Sequence, residues 1–320
     1  MTDTPLRVCL LGATGTIGRA TLRALARRGH DVVCLVRPHP RGPQPAHARP
    51  VDLQDPAAIA RDGFRGERFD AVLSCMASRT GAPRDAWAVD HDAHLAVLAA
   101  AQQAGIPRFV LLSAICLQKP RLAFQHAKLA FEAALIASPL THSIVRPTAY
   151  FKSLSGQVER VRRGKPFLVF GDGALTACKP IGAHDLADYL ADCLHDPGRR
   201  DRVLPIGGPG EPITPRQQAE ALFALLGRRP RIRHVPVALL DTTVAALSAA
   251  ARLAPSLADK AELARIGRYY ATESMLVLDP ATARYDAAAT PSTGTETLFD
   301  HYRALLAGAA TSDLGDHAIF

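Results

Sequence analysis

The segment that most constrains this chain is Gly12-Ala13-Thr14-Gly15-Thr16-Ile17-Gly18, set between an apolar run, Leu6 to Leu11, and a helical pattern, Thr16 to Arg28. In a strand–turn–helix layout of this kind, Gly12 permits the tight turn and Gly15 lets backbone approach a pyrophosphate. Gly18 lets the helix pack against the strand, and the helix N-terminus turns amide donors toward phosphate. Three glycines alone say little. With strand, helix and spacing all present, they predict a dinucleotide-binding loop contacted through Gly12, Thr14, Gly15, Thr16, Ile17 and Gly18.

The first half of the chain continues the alternation. Strand-like runs at Asp31 to Val36, near Val51, Ala71 to Cys75, Arg108 to Leu112 and Thr141 to Val145 are separated by helical patterns at Trp87 to Ala104 and Arg121 to Ala137, with a Pro-rich loop from Pro38 to Pro50. Six strands with crossover helices predict an α/β fold, a doubly wound parallel Rossmann sheet. After Pro147 the alternation fades. Strand-like pieces at Phe167 to Phe170 and Val203 to Ile206, with helices at Asp185 to Leu194 and Pro215 to Leu226, read as a smaller, irregular C-terminal substrate lobe. The expected division is 1–150 for cofactor binding and 151–310 for substrate, with 311–320 a frayed tail.

The net charge of +8 comes from 32 Arg and only 6 Lys, and residues 1–150 hold 18 basic against 11 acidic side chains. Aromatic residues are only 6% of the chain, too few to stack bases along a strand, and no helix-turn-helix or zinc-finger spacing is present. No nucleic-acid partner is expected. The six cysteines are scattered, without a CxxC pair or a His at ligand spacing, so no metal site is expected and the chain reads as reduced and cytoplasmic. The N-terminus lacks the basic-then-apolar pattern of a signal peptide. The apolar stretch Val235 to Ala251 is broken by Asp241 and Thr242, and reads as a helix packed on the core rather than a membrane span.

Arg37 follows the second strand, where an acidic residue would meet the ribose hydroxyls of NAD. A guanidinium there suits a 2′-phosphate, so the expected cofactor is NADPH, with Arg19 in support and Asp52-Leu53 placed to meet the adenine.

The glycine loop on a single sheet resembles the short-chain dehydrogenase/reductase superfamily, in its extended and atypical branches. That family completes its site with a Ser after the fifth strand and a Tyr-x-x-x-Lys helix. Ser113 and Lys128 match; Phe124 stands where the Tyr should be. A phenyl ring can neither donate nor accept a proton, which argues against alcohol dehydrogenation and sugar epimerisation. Lys128 can still anchor the nicotinamide ribose and stabilise developing negative charge. Two fates suit such a chain: reduction of an activated carbon–carbon double bond, or NADP binding without turnover as in NmrA-like sensors and assembly proteins.

Several segments of the C-terminal half are distinctive: Arg146 to Leu154, Gly164 to Gly173 leading to Lys179-Pro180-Ile181 and Asp185-Leu186-Ala187, and Asp259 to Met275 with its Tyr269-Tyr270-Ala271-Thr272-Glu273-Ser274-Met275. Together they resemble the divinyl chlorophyllide a 8-vinyl-reductase family over essentially the whole chain. An isoflavone-reductase-like activity on another conjugated ring is the remaining enzymatic alternative. The resemblance implies NADPH-dependent reduction of the 8-vinyl group of divinyl chlorophyllide or protochlorophyllide to ethyl in (bacterio)chlorophyll synthesis. Hydride at the outer vinyl carbon and a proton at the inner one complete the change. The catalytic residues expected are Lys128, Tyr150 and Ser113, with Tyr150 or Lys128 as proton donor and His126 as a third candidate. Lys152, Lys179, Arg265 and Arg268 are candidates to hold the propionate. A large, flat, poorly soluble substrate also suits peripheral contact with a photosynthetic membrane.

Overall fold

Successive residues of a strand point to opposite faces of a sheet, and in β1 (Arg7–Leu11) the four residues after Arg7 are apolar on both sides, so both faces must be covered. The computed structural model describes residues 4–38 and 44–308 and shows how. Cys9 and Leu11, with Val33, Leu35, Val72, Phe109 and Ile144 of the neighbouring strands, meet Ile59, Phe64, Val97 and Phe131 on one side. Val8 and Leu10, with Val32, Cys34, Leu73, Val110 and Val145, meet Ala20, Ala24 and Leu25 on the other, where Leu186, Leu190 and Leu194 join them. The second layer pairs helix Thr16–Arg27 with helix Ala183–Asp192.

The strands, in chain order, are β2 (Asp31–Val36), β3 (Ala48–Pro50), β4 (Ala71–Ser74), β5 (Arg108–Leu112), β6 (Thr141–Pro147), β7 (Phe167–Phe170) and β8 (Arg202–Ile206). The main sheet runs β3-β2-β1-β4-β5-β6-β8, with every pair parallel. The order reverses between β1 and β4, the crevice where doubly wound sheets bind ligands. The sequence pattern gives six strands; the seventh, β8, falls in the stretch read as the irregular lobe. The pattern marks Val203 to Ile206 as strand-like but assigns it to the lobe; Pro205 and the exposed Arg202 and Val203 suit the edge position it takes in the sheet. The sheet thus runs beyond the boundary drawn at residue 150, and one of its covering helices comes from beyond it too. Residues 39–43 of the Pro-rich loop and 309–320, including the whole expected tail, lie outside the described residues.

The helix read as Trp87 to Ala104 is three segments end to end: Pro83–Ala86, a widened π-helical stretch Trp87–Ala93, and His94–Gln103. Beyond β6, β7 pairs in parallel with β9 (Ile232–Val235), and Phe151, Val161, Phe167, Phe223, Leu298 and Tyr302 form the lobe's own core. The apolar stretch after Val235 becomes helix Val237–Leu253, none of whose residues is buried. Rather than lying on the core, it packs against helix Ala258–Thr272. Among the described residues no helix is long and apolar enough to cross a membrane.

Candidate active site

Each glycine of the first loop answers a different demand. Gly12 has φ +73°, and a side-chain carbon there would sit 2.6 Å from the Cys75 carbonyl; one at Gly18 would sit 2.0 Å from the Gly12 oxygen. Those two glycines are required by the fold. At Gly15 a side-chain carbon would meet only the Gly12 oxygen, at 3.5 Å, and φ is an ordinary −75°. The protein itself does not exclude a methyl group at Gly15, so the glycine is explained by something approaching from outside. Helix Thr16–Arg27 also begins without a side-chain cap and without an acidic residue in its first turn, leaving its amides available to an anion. Lys152, from the segment after β6, reaches across to donate to Thr16 Oγ1 at 3.2 Å and brings a positive charge to the same place. A pyrophosphate fits this cradle.

Arg37 is exposed just past β2 and has no hydrogen bond or ion pair to another described residue. Arg19 instead lies along the loop, donating to the Thr14 carbonyl at 2.8 Å. Asp52 is exposed, one carboxylate oxygen accepting from the Gln54 amide at 3.0 Å, and the Leu53 side chain is buried in the core.

Lys128 is half-buried at the other end of the cleft, and its partner escaped sequence analysis. Its ammonium donates to Asp90 Oδ1 at 3.0 Å, while the Ser78 amide donates to the same oxygen at 3.1 Å. Asp90 is 1% exposed and sits in the π-helical stretch; its second oxygen, Oδ2, is buried without a hydrogen bond. An unused acceptor beside a lysine fits a ligand hydroxyl such as those of a ribose. The signal in the sequence is an Asp-His-Asp interruption of an otherwise Ala-rich helix. Next to the pair, His94 accepts from Ser74 Oγ at 2.8 Å and donates from its other ring nitrogen to the Val89 carbonyl. Burial first, and then the nearby Lys128 charge, push the His94 pKa down to about 4.

The other expected catalytic groups separate. Tyr150 is partly buried against the sheet's second core, its hydroxyl has no hydrogen-bond partner among the described residues, and burial, with Cys75 and Cys116 nearby, raises its pKa. Ser113 is turned away. Its hydroxyl donates to buried Glu132, which is also ion-paired with Arg146, so the strand-end serine belongs to a structural network rather than to the reacting group. His126 is exposed and lies about 200° around its helix from Lys128, outside the cleft.

Phe124, in place of the family's Tyr, packs with Ile266 and Tyr269 in an apolar seam where helix Ala258–Thr272 meets the turn Ile115–Gln118. The run after Tyr269 buckles that seam. Tyr269 donates to the Cys116 carbonyl at 2.8 Å, and the Tyr270 hydroxyl lies 3.8 Å from Cys116 Sγ. Glu273 binds Lys119, Arg121 and the Tyr285 hydroxyl, and Ser274 accepts from the Ala177 amide. This is the physical reason for a run so dense in aromatic and charged residues.

The four cations proposed for a propionate are already engaged. Lys179 donates to the Thr290 carbonyl and Ser292, Arg265 to Glu262 and Ser248, and Arg268 to Asp241, while Lys152 belongs to the phosphate end. Arg265 and Arg268 clasp the two lobe helices together.

A protein-family model described as NAD(P)H-binding matches residues 12–197. The chain is 48% identical to the chloroplastic divinyl chlorophyllide a 8-vinyl-reductase of Oryza sativa subsp. indica over 98% of its own length and 82% of that protein. Against the Zea mays protein of the same name the identity is 46%, with the same coverage of both chains. Among solved structures, the NADPH-dependent quinone oxidoreductase of Escherichia coli, complexed with NADPH, superposes with a TM-score of 0.64 at 19% identity, covering 93% of this chain and 99% of that one. That last likeness is one of fold.

Proposed function

The chain belongs to the divinyl chlorophyllide a 8-vinyl-reductase family, and we propose that it reduces the 8-vinyl group of a divinyl chlorophyllide to ethyl with NADPH as reductant. The near full-length likeness to the plant reductases carries this reading. The cleft is consistent with it: Phe124 at the family's tyrosine position leaves that helix without the hydroxyl that protonates or deprotonates a substrate oxygen, and a conjugated vinyl group has no oxygen to serve.

When bound, NADPH supplies a hydride, and the protein's part is to hold, orient and protonate. The glycine loop and Lys152 hold the pyrophosphate, Arg37 the 2′-phosphate, and Asp52-Leu53 the adenine. Lys128, kept in place by Asp90, takes the nicotinamide ribose. Tyr150 forms the wall against which the reacting face is set, and Ser113 has no direct part. A substrate this flat and apolar partitions toward lipid, which places the enzyme's work beside a photosynthetic membrane.

Purified protein given NADPH and divinyl chlorophyllide a is expected to yield the monovinyl product, followed by chromatography. Arg37→Ser should weaken NADPH binding about tenfold or more, as the loss of a charge-assisted hydrogen bond implies, with NADH binding unchanged. NADPH binding without any turnover, in an assay where a control reductase is active, refutes the enzymatic reading.

A further inference from the structure

Reducing a vinyl group requires one hydride and one proton, and the helix that supplies the usual hydroxyl carries Phe124 instead. We propose that Tyr270, from the distant helix Ala258–Thr272, is the proton donor of the reaction, returning to the cleft the hydroxyl missing at position 124. The assignment rests on the vinyl-reductase reading above.

Three observations converge on Tyr270. First, its helix is the one packed on Phe124: a side-chain carbon built at Gly81 would touch both Ile266 Cδ1, at 2.9 Å, and Phe124 Cδ1, at 3.6 Å, so the two share one small space. Second, Tyr269 fixes the register by donating to the Cys116 carbonyl, and it meets the Tyr270 ring edge-on at 5.7 Å. Third, the Tyr270 hydroxyl reaches inward to Cys116 Sγ at 3.8 Å, while the residue as a whole remains 38% exposed. A thiol is a weak hydrogen-bond partner, so the phenolic proton is held in place without being spent. Tyr150, by contrast, has its ring against the sheet's second core and no hydrogen-bond partner among the described residues to aim its hydroxyl.

Burial, followed by Cys116, Tyr269 and Tyr150, raises the Tyr270 pKa well above its ordinary value, so the phenol is protonated at neutral pH and gives up its proton only to a stronger base, such as the carbanion that hydride addition leaves. In the reaction the outer vinyl carbon gains the hydride, and the electron pair of the double bond shifts to the inner carbon and into the macrocycle. The Tyr270 O–H bond breaks as the inner carbon takes the proton. Water at the open side of the ring then reprotonates the phenolate, and the balance is one hydride and one proton added across the bond.

Tyr270→Phe removes one oxygen and keeps the ring. It should lower kcat about 100-fold or more, the range for loss of a general acid. The KM for divinyl chlorophyllide and the NADPH Kd, read by fluorescence of the bound nucleotide, should stay within about threefold, and the melting temperature should hold. Tyr150→Phe should lower kcat by less than about tenfold. A Tyr270→Phe protein with kcat within about threefold of the parent, or whose loss falls on KM or the NADPH Kd instead, overturns the assignment. So does a Tyr150→Phe protein with the larger loss. If the parent itself makes no monovinyl product, the vinyl-reductase reading falls and takes this one with it; an active parent with an unimpaired Tyr270→Phe removes only the donor.

Discussion

At the scale of single residues, one glycine divides fold from function. Gly12 and Gly18 are dictated by backbone that comes within 2.6 and 2.0 Å of any side-chain carbon, and Gly15 is not. Gly18→Ala should therefore destabilise the protein by about 2 kcal/mol or more, the cost of forcing atoms into packed space. Gly15→Ala should melt within a few degrees of the parent, yet bind NADPH at least about tenfold more weakly, since each factor of ten is only about 1.4 kcal/mol of lost approach. Thermal melts and a fluorescence titration separate the two; equal loss of stability in both would make Gly15 structural. The sequence carried this distinction only in part. The flanking strand and helix made the roles of the three glycines legible, Gly15 as the one that meets a pyrophosphate included, whereas the backbone that crowds Gly12, at Cys75, is remote in sequence. Ser113 shows the same limit. A serine at a strand end can face the cleft or the neighbouring helix, and Glu132 with Arg146, neither adjacent in sequence, turned it toward the helix.

At the scale of elements, the widened turn Trp87–Ala93 does what a regular helix would not. It sets Asp90 under Lys128 and His94 over Ser74 within one turn of each other, in keeping with the frequent use of π-helical insertions at functional sites. Hydrophobic periodicity could announce a helix here but not its local widening, because an Ala-rich segment tolerates either spacing. The buried pair has a consequence for acid stability. His94 is neutral in the fold, with a pKa near 4 against an ordinary 6.5 when unfolded. Between those values the unfolded chain binds the extra proton, so the contribution is complete above pH 6.5 and lost progressively as pH falls toward 4. A shift of this size corresponds to about 3 kcal/mol. Urea unfolding at pH 7 and pH 5 should show the parent weakening on acidification. His94→Gln should be less stable at pH 7 but flatter between the two; a variant with the parent's full pH slope would place the sensitive group elsewhere.

At the scale of the whole molecule, the charge that opens the question of partners resolves into local uses. Many arginines satisfy carbonyls or carboxylates of their own chain, as Arg28, Arg49 and Arg199 do, and Arg37 remains turned outward at the dinucleotide end. The chain's path also decides how far the cofactor half can stand alone. After leaving the sheet at Pro147 it builds the first pieces of the lobe, returns with helix Ala183–Asp192 and β8 to finish the sheet, and departs again. A fragment ending at residue 150 would keep the glycine loop, Arg37 and Lys128. It would also leave Val8, Leu10, Ala24 and Leu25 without Leu186, Leu190 and Leu194 above them, and β6 with an open edge. At about 2 kcal/mol for each large apolar side chain returned to water, three or four such losses approach the 5 to 15 kcal/mol that holds a typical domain together. The fragment 1–150 is therefore expected to be unfolded or aggregated by circular dichroism and to leave NADPH fluorescence unchanged, whereas the full chain should melt in one transition that NADPH raises. A soluble, helical 1–150 that binds NADPH would show that the first core closes without the returning strand and helix, and that the lobe is an appendage rather than part of the same cooperative unit.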